Sequence, residues 1–250
     1  MTICDYNYSA TKNIFQGHEW TEQRRFALRR LRDFGLGKSS MEELIHEEIR
    51  QLFEQLDKQI NQPLTMSLIF NVSVLNALWT LLTGSRLPLD DPKLQDMVQK
   101  VDALMKEFGN VTVLSVFPGL RHIIPEWSGW NRMKKTFFHM KAFINNTIDQ
   151  HKINYDEDIK ENPRDFIDAF LNQIHDDANK GTSYHGNLGQ QNLESVLLDL
   201  LFGGIETTST ALTWSILFMI KYPNVQRKVQ DEIFAQVSFK SETKTFLMII

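Results

Sequence analysis

From Val196 to Ile220 the chain is almost entirely apolar or small, yet Gly203-Gly204-Ile205-Glu206-Thr207-Thr208 sits in its middle. The 3.6-residue patterning predicts a helix over about 190–220. Each glycine inside a helix costs about 1 kcal/mol relative to alanine. A carboxylate in apolar surroundings costs several more unless it is paired, protonated or hydrated. A helix that keeps both at one turn has something close against its backbone and a use for a proton-handling group. The plain alternative is a kinked structural helix, and the hexapeptide alone does not separate the two.

Helical periodicity continues through nearly all 250 residues, with helices expected near 18–33, 40–60, 66–82, 92–108, 130–150, 163–178, 190–220 and 224–235. Breaks fall at Gly35/Gly37, Pro63, Gly84–Pro88, Pro118–Pro125, Asn179–Gly189 and Pro223. The expected fold class is mostly α. Gly35 and Gly37 are expected to end a helix. Ser39 or Ser40, ahead of Glu42 and Glu43, is the expected N-cap of the next. The segment Gln59–Ser85 has no charge, but Thr65, Ser67, Asn71, Ser73, Asn76, Thr80 and Thr83 are spread through it. It reads as a buried helix rather than a membrane span. The 196–220 run is too broken by Asp199 and Glu206 to span a bilayer.

A net charge of −4 gives no case for a nucleic-acid partner, and a lone cysteine, Cys4, excludes a disulfide-built scaffold. Sequons at Asn71, Asn110 and Asn145 are expected to be chance triplets. Gly35-Leu-Gly-Lys-Ser-Ser is not a phosphate loop, because Arg32 stands where the pattern needs glycine and a helix precedes it. His46-Glu47 is followed by Arg50 where a zinc helix needs histidine, so no metal site built from protein side chains is expected. Trp20, Arg24, Leu28 and Leu31 share one helix face. An arginine on such a stripe either covers core surface with its stem or is buried and aimed at an anionic ligand. Arg25, Arg29 and Arg32 form a second, basic face.

Gly203-Gly204-Ile205-Glu206-Thr207-Thr208 resembles the oxygen-binding helix of the cytochrome P-450 superfamily, the heme-thiolate monooxygenases. Trp20-Thr-Glu-Gln-Arg24 is similar to that family's helix for the heme propionates. Leu31-Arg-Asp-Phe-Gly-Leu-Gly37, Asn162-Pro-Arg-Asp-Phe-Ile-Asp168 and Lys221-Tyr-Pro-Asn-Val-Gln226 resemble its microsomal, drug- and steroid-type branch. The resemblance covers about 13–233, within a single partial domain over 1–250, and residues 1–12 and 234–250 depart from it. It implies a partial P-450 fold, the helical core through the oxygen-binding helix and the next one. It also implies a heme-dependent, iron-containing monooxygenase that inserts one oxygen atom into a hydrophobic small molecule. Electrons would come from NADPH through a flavin reductase, docked on the basic face.

By resemblance, Thr207 and Glu206 are catalytic and handle protons, Trp20 and Arg24 hold the propionates, and Gly203 and Gly204 leave room for dioxygen. Asp199 and Phe202 would face substrate. Asp199, Gly203, Glu206, Thr207 and Thr210 are expected on one face. The family's cysteine loop has no counterpart, since Cys4 lies at the other end. The expectation is therefore a fragment that is inactive by itself. The alternative is a noncatalytic helical protein that binds a ligand or partner. The resemblance implies the endoplasmic reticulum membrane, although no anchor is read in the sequence; a cytoplasmic address is the alternative.

Overall fold

The computed structural model describes residues 18–64, 66, 68–89, 91–117 and 119–237, with the side chains of 107–113, 115, 236 and 237 excepted. Cys4, the divergent segment 1–12 and residues 238–250 of the divergent tail lie outside the described residues, as does the start of the resemblance at 13–17. No strand occurs among the described residues. The helices are α1 (His18–Asp33), α2 (Ser39–Asp57), α3 (Ile69–Thr83), α4 (Pro92–Val116), α5 (Leu120–Ile123), α6 (Trp130–Ile153), α7 (Glu157–Glu161), α8 (Phe166–His175), α9 (Gly186–Lys221) and α10 (Pro223–Val237).

Gly35 ends α1 as expected. Its φ is +122°, Leu36 N donates to Leu31 O at 2.8 Å, and Gly35 N donates to Arg32 O at 3.2 Å. These are the paired bonds that close a helix C-terminus. The expected serine cap does not form. Lys38 takes the N-cap position of α2 with extended backbone and no side-chain cap, and Ser39 opens the helix. Ser40 is packed instead against Gly35, where a Cβ would come 2.6 Å from its hydroxyl. α4 continues past its expected end near 108, and Leu114 in the extension is 2% exposed. Burial there outweighs the helix-weakening Gly109 and Asn110. α8 starts later than expected because Asp165 caps it, accepting from Asp168 N at 2.9 Å. α5 and α7 are too short to show periodicity.

The described residues fall into two compact units, divided between Thr207 and Thr208. In the first, α3 packs against α2, α4 and α8, α6 against α4 and α8, and α1 against α8. The α1 stripe Gln23, Ala27 and Leu31 is buried. Phe26 meets Phe170 edge-on at 5.3 Å and Tyr184 at 5.6 Å, which ties α1 to α8 and to the turn before α9. The uncharged stretch is the buried helix expected of it: Leu75, Asn76 and Leu82 of α3 have no exposed surface. Asn71 is buried, so its sequon is closed to a glycan. Glu48 of α2, 4% exposed, is gripped by Arg86 through Nε and Nη2, the latter at 3.1 Å. Asn76 supports the same network by bonding both the N–H and the C=O of Leu87.

The second unit, as described, holds the last turns of α9 and all of α10. Trp214, Phe218 and Tyr222 form a ladder of rings 5.9 and 6.3 Å apart, all largely exposed. No helix among the described residues is long and apolar enough to cross a membrane.

Candidate functional site

A cleft of about 290 Å³ opens between α1 and α9, lined by Trp20, Gln23 and Arg24 on one side and Asn192, Asp199 and Leu200 on the other. The Arg24 guanidinium lies over the Trp20 ring, 5.2 Å from its centroid. Arg24 is exposed at the cleft and not buried, one of the two placements that its apolar stripe left open. Leu28 beside it is exposed too, so this part of the stripe faces the opening while Ala27 and Leu31 take the core. Gln23 is 9% exposed and donates through Nε2 to Ser183 Oγ at 3.0 Å. Its buried Oε1 has no hydrogen-bond partner among the described residues.

On α9 the face grouped in the sequence divides. Asp199, Gly203 and Thr207, spaced at i, i+4 and i+8, are exposed. Leu201 and Ile205 have no exposed surface, and Phe202 packs against the core. A Cβ on Gly203 would meet nothing within 4 Å, whereas one on Gly204 would lie 2.8 Å from Leu78 Cδ2 of α3. Glu206 is half-buried, and Asn71 Nδ2 of α3 donates to its Oε2 at 3.5 Å. Gly204 and Glu206 therefore turn toward α3. Thr207 Oγ1 donates to Gly203 O at 2.7 Å, which leaves its lone pairs able to accept. Thr210 is exposed in the second unit.

Burial pushes the Asp199 carboxyl up to about 6. The residue also keeps an exposed surface, so water limits that lift; the direction follows from the surrounding protein mass. Sequence reasoning missed Asn71, Leu78 and Gln23 as parts of the site. The available signal for Asn71 was an amide inside an uncharged run, with no charged neighbour to explain it.

The family model for cytochrome P-450 matches residues 5–246. This chain belongs to the cytochrome P-450 family. Among its relatives, Cytochrome P-450 2J5 of Mus musculus is 34% identical over 231 residues, covering 92% of this chain and 44% of that protein. Cytochrome P-450 2J2 of Homo sapiens is 35% identical, over 87% of this chain and 42% of that protein. Cytochrome P-450 2D10 of Mus musculus is 36% identical, over 88% of this chain and 43% of that protein. The chain thus spans less than half the length of these curated relatives.

The residues present fit the periphery of a heme. The planar Arg24 fork matches carboxylate geometry, and the stacked Trp20 limits its freedom. Gly203 leaves the backbone of α9 bare beside the Thr207 hydroxyl, and no packing neighbour fills that space. No cysteine lies among the described residues.

Proposed function

We propose that the protein is a heme-dependent monooxygenase that inserts one atom of dioxygen into a hydrophobic small molecule. NADPH supplies the electrons through a flavin reductase. One observation carries the reading: α1 brings Trp20 and Arg24 to the same cleft that receives Asp199 of α9, one turn before the bare backbone at Gly203. Heme, when bound, supplies the oxygen chemistry. The chain's own residues bind and move protons. Arg24 and Trp20 would hold the propionates of a bound heme. Thr207 Oγ1 holds a proton that it can both give and accept, and Glu206, oriented by Asn71, resupplies it. Asp199 meets the substrate at the cleft wall, whereas Phe202 contributes from the core side. Arg25, Arg29 and Arg32 are exposed on α1 and form the docking face for an acidic reductase. The endoplasmic reticulum membrane is the proposed address.

Hemin titration followed by absorbance tests the propionate clamp. A charge-assisted hydrogen bond contributes about 1.5–3 kcal/mol, so Arg24→Ala should weaken hemin binding roughly 10- to 100-fold. Equal affinity for wild type and Arg24→Ala would make Arg24 a surface-covering side chain and remove the main support for the reading.

A further inference from the structure

Away from the cleft, the end of α6 and the start of α8 enclose charges that the proposed function does not use. His151, in the last turn of α6, has Nδ1 2.8 Å from the Thr147 carbonyl oxygen and Nε2 3.0 Å from Asp165 Oδ2. A carbonyl and an ionised carboxylate can only accept. A neutral imidazole carries one N–H and can serve one of them. Two contacts of hydrogen-bond length to two acceptors require a proton on each ring nitrogen.

The local charges lead to the same protonation state. Asp165 is 2% exposed and Asp168 0%. Arg164 engages Asp168 with Nε at 2.7 Å and Nη2 at 3.1 Å. With His151 charged, two cations face two carboxylates. With His151 neutral, one buried carboxylate is left without a counter-charge, which is the costly state. His151, Asp165 and Asp168 also offer ligand atoms within 4.8 Å of one another. Those atoms are already engaged with Thr147, Arg164 and each other, so a proton rather than a metal ion holds the cluster together.

We propose that His151 is a half-buried imidazolium rivet, a proton held between α6 and the N-cap of α8, whose loss as pH rises loosens this end of the bundle. The groups around it can be named. The N-cap of α8 contributes Asp165, α8 itself Asp168 and the preceding turn Arg164, while next along α6 Lys152 pairs with Asp149 at 3.5 Å. α3 approaches with its C-terminal Gly84, where a Cβ would come 3.1 Å from Asp165 Oδ2. α9 contributes Gln190, whose Oε1 accepts from Lys152 Nζ at 2.8 Å. Burial alone would lower the His151 pKa; the hydrogen bond and charge of Asp165, the Thr147 carbonyl and Asp168 outweigh it, and the net shift is upward. The stability this supplies is complete below the ordinary histidine value of about 6.5 and is lost as pH rises through the higher folded-state value. Because Lys152 is adjacent to His151 and reaches Gln190, the loosening extends to the first turns of α9. This inference does not depend on the heme reading.

The test uses the intact 250-residue chain. Ring-nitrogen NMR at pH 7.5 should show both His151 nitrogens protonated, where an unperturbed histidine is mostly neutral. A single-proton tautomer at that pH would overturn the proposal. Urea unfolding from pH 5.5 to 9 then compares wild type with His151→Gln, which donates to Asp165 without titrating. The ratio of their folding constants should fall with rising pH, by about tenfold for each unit by which the folded state favours the imidazolium. A pH-independent ratio would also sink it. If His151→Gln does not fold, Asp165→Asn replaces it, and the doubly protonated signal should then disappear at pH 7.5; its persistence counts against the rivet. Hydrogen exchange of amides 186–193 should accelerate once His151 deprotonates, and unchanged protection would refute the link to α9.

Discussion

At Gly204 a methyl group would lie 2.8 Å from Leu78 Cδ2, whereas at Gly203 it would meet nothing within 4 Å. Gly204 lets α9 approach α3. Gly203 has no such packing reason. Gly203→Ala should therefore stabilise the chain by about 0.5–1 kcal/mol in urea, the ordinary gain of alanine over glycine in a helix. Gly204→Ala should gain less or lose, since Leu78 must move. If the two variants behave alike, the division of the pair is wrong. Asp199 gives a pH signature at the same scale. Its folded pKa is raised to about 6 from 3.8, so the neutral form is favoured on folding. That contribution is complete below about 3.8 and is lost as pH rises through about 6. Asp199→Asn should be near neutral at pH 4 and stabilising at pH 8. The residue is partly exposed, so the gain should be about 1 kcal/mol or less. Unfolding at the two pH values measures it, and an equal difference at both would show that Asp199 titrates normally.

Among the elements, α2 is joined to the connection after α3 by a buried ion pair rather than by apolar contact alone. The Glu48 side chain is 5% exposed and that of Arg86 27%. Removing one partner of such a pair typically costs about 3–5 kcal/mol, because the other stays buried and unpaired. Asn76 Nδ2 would still donate to Glu48 Oε2 at 3.4 Å, whereas Gln51 loses the bond its Oε1 accepts from Arg86, so Arg86→Met should cost about 3 kcal/mol by urea unfolding. The double variant Arg86→Met with Glu48→Leu should recover most of it. If the double variant is as unstable as the single one, Glu48 is held by packing and not by its charge. α9 shows the reverse: 36 residues continue through the glycine pair because Leu193, Leu197, Leu201 and Ile205 keep one side buried. Tertiary packing supplies what local propensity withholds.

For the molecule as a whole, the ligand set bears on activity. Cys4 is the only cysteine, and it lies outside the described residues. Hemin added to the reduced chain under carbon monoxide should not give the red-shifted band of a thiolate-ligated heme. A band that appears in wild type and vanishes in Cys4→Ser would assign the ligand to Cys4 and overturn this expectation. Much of the architecture was legible in advance. Apolar residues at 3.6-residue spacing, glycines at Gly35 and Gly37, and Pro223 fixed the helices and several ends, because periodicity and backbone limits act locally. The hexapeptide of α9 and Trp20 through Arg24 announced the family, since those residue types are costly or unusual where they stand. Tertiary structure alone decided the exposure of Arg24, the separate surroundings of Gly203 and Gly204, and the meeting of Asn71 with Glu206 across 135 positions. It also set His151 against Asp165. The physical reason is common to all of these: burial, close approach and the sharing of a proton belong to pairs of surfaces, and a linear pattern specifies only one surface at a time.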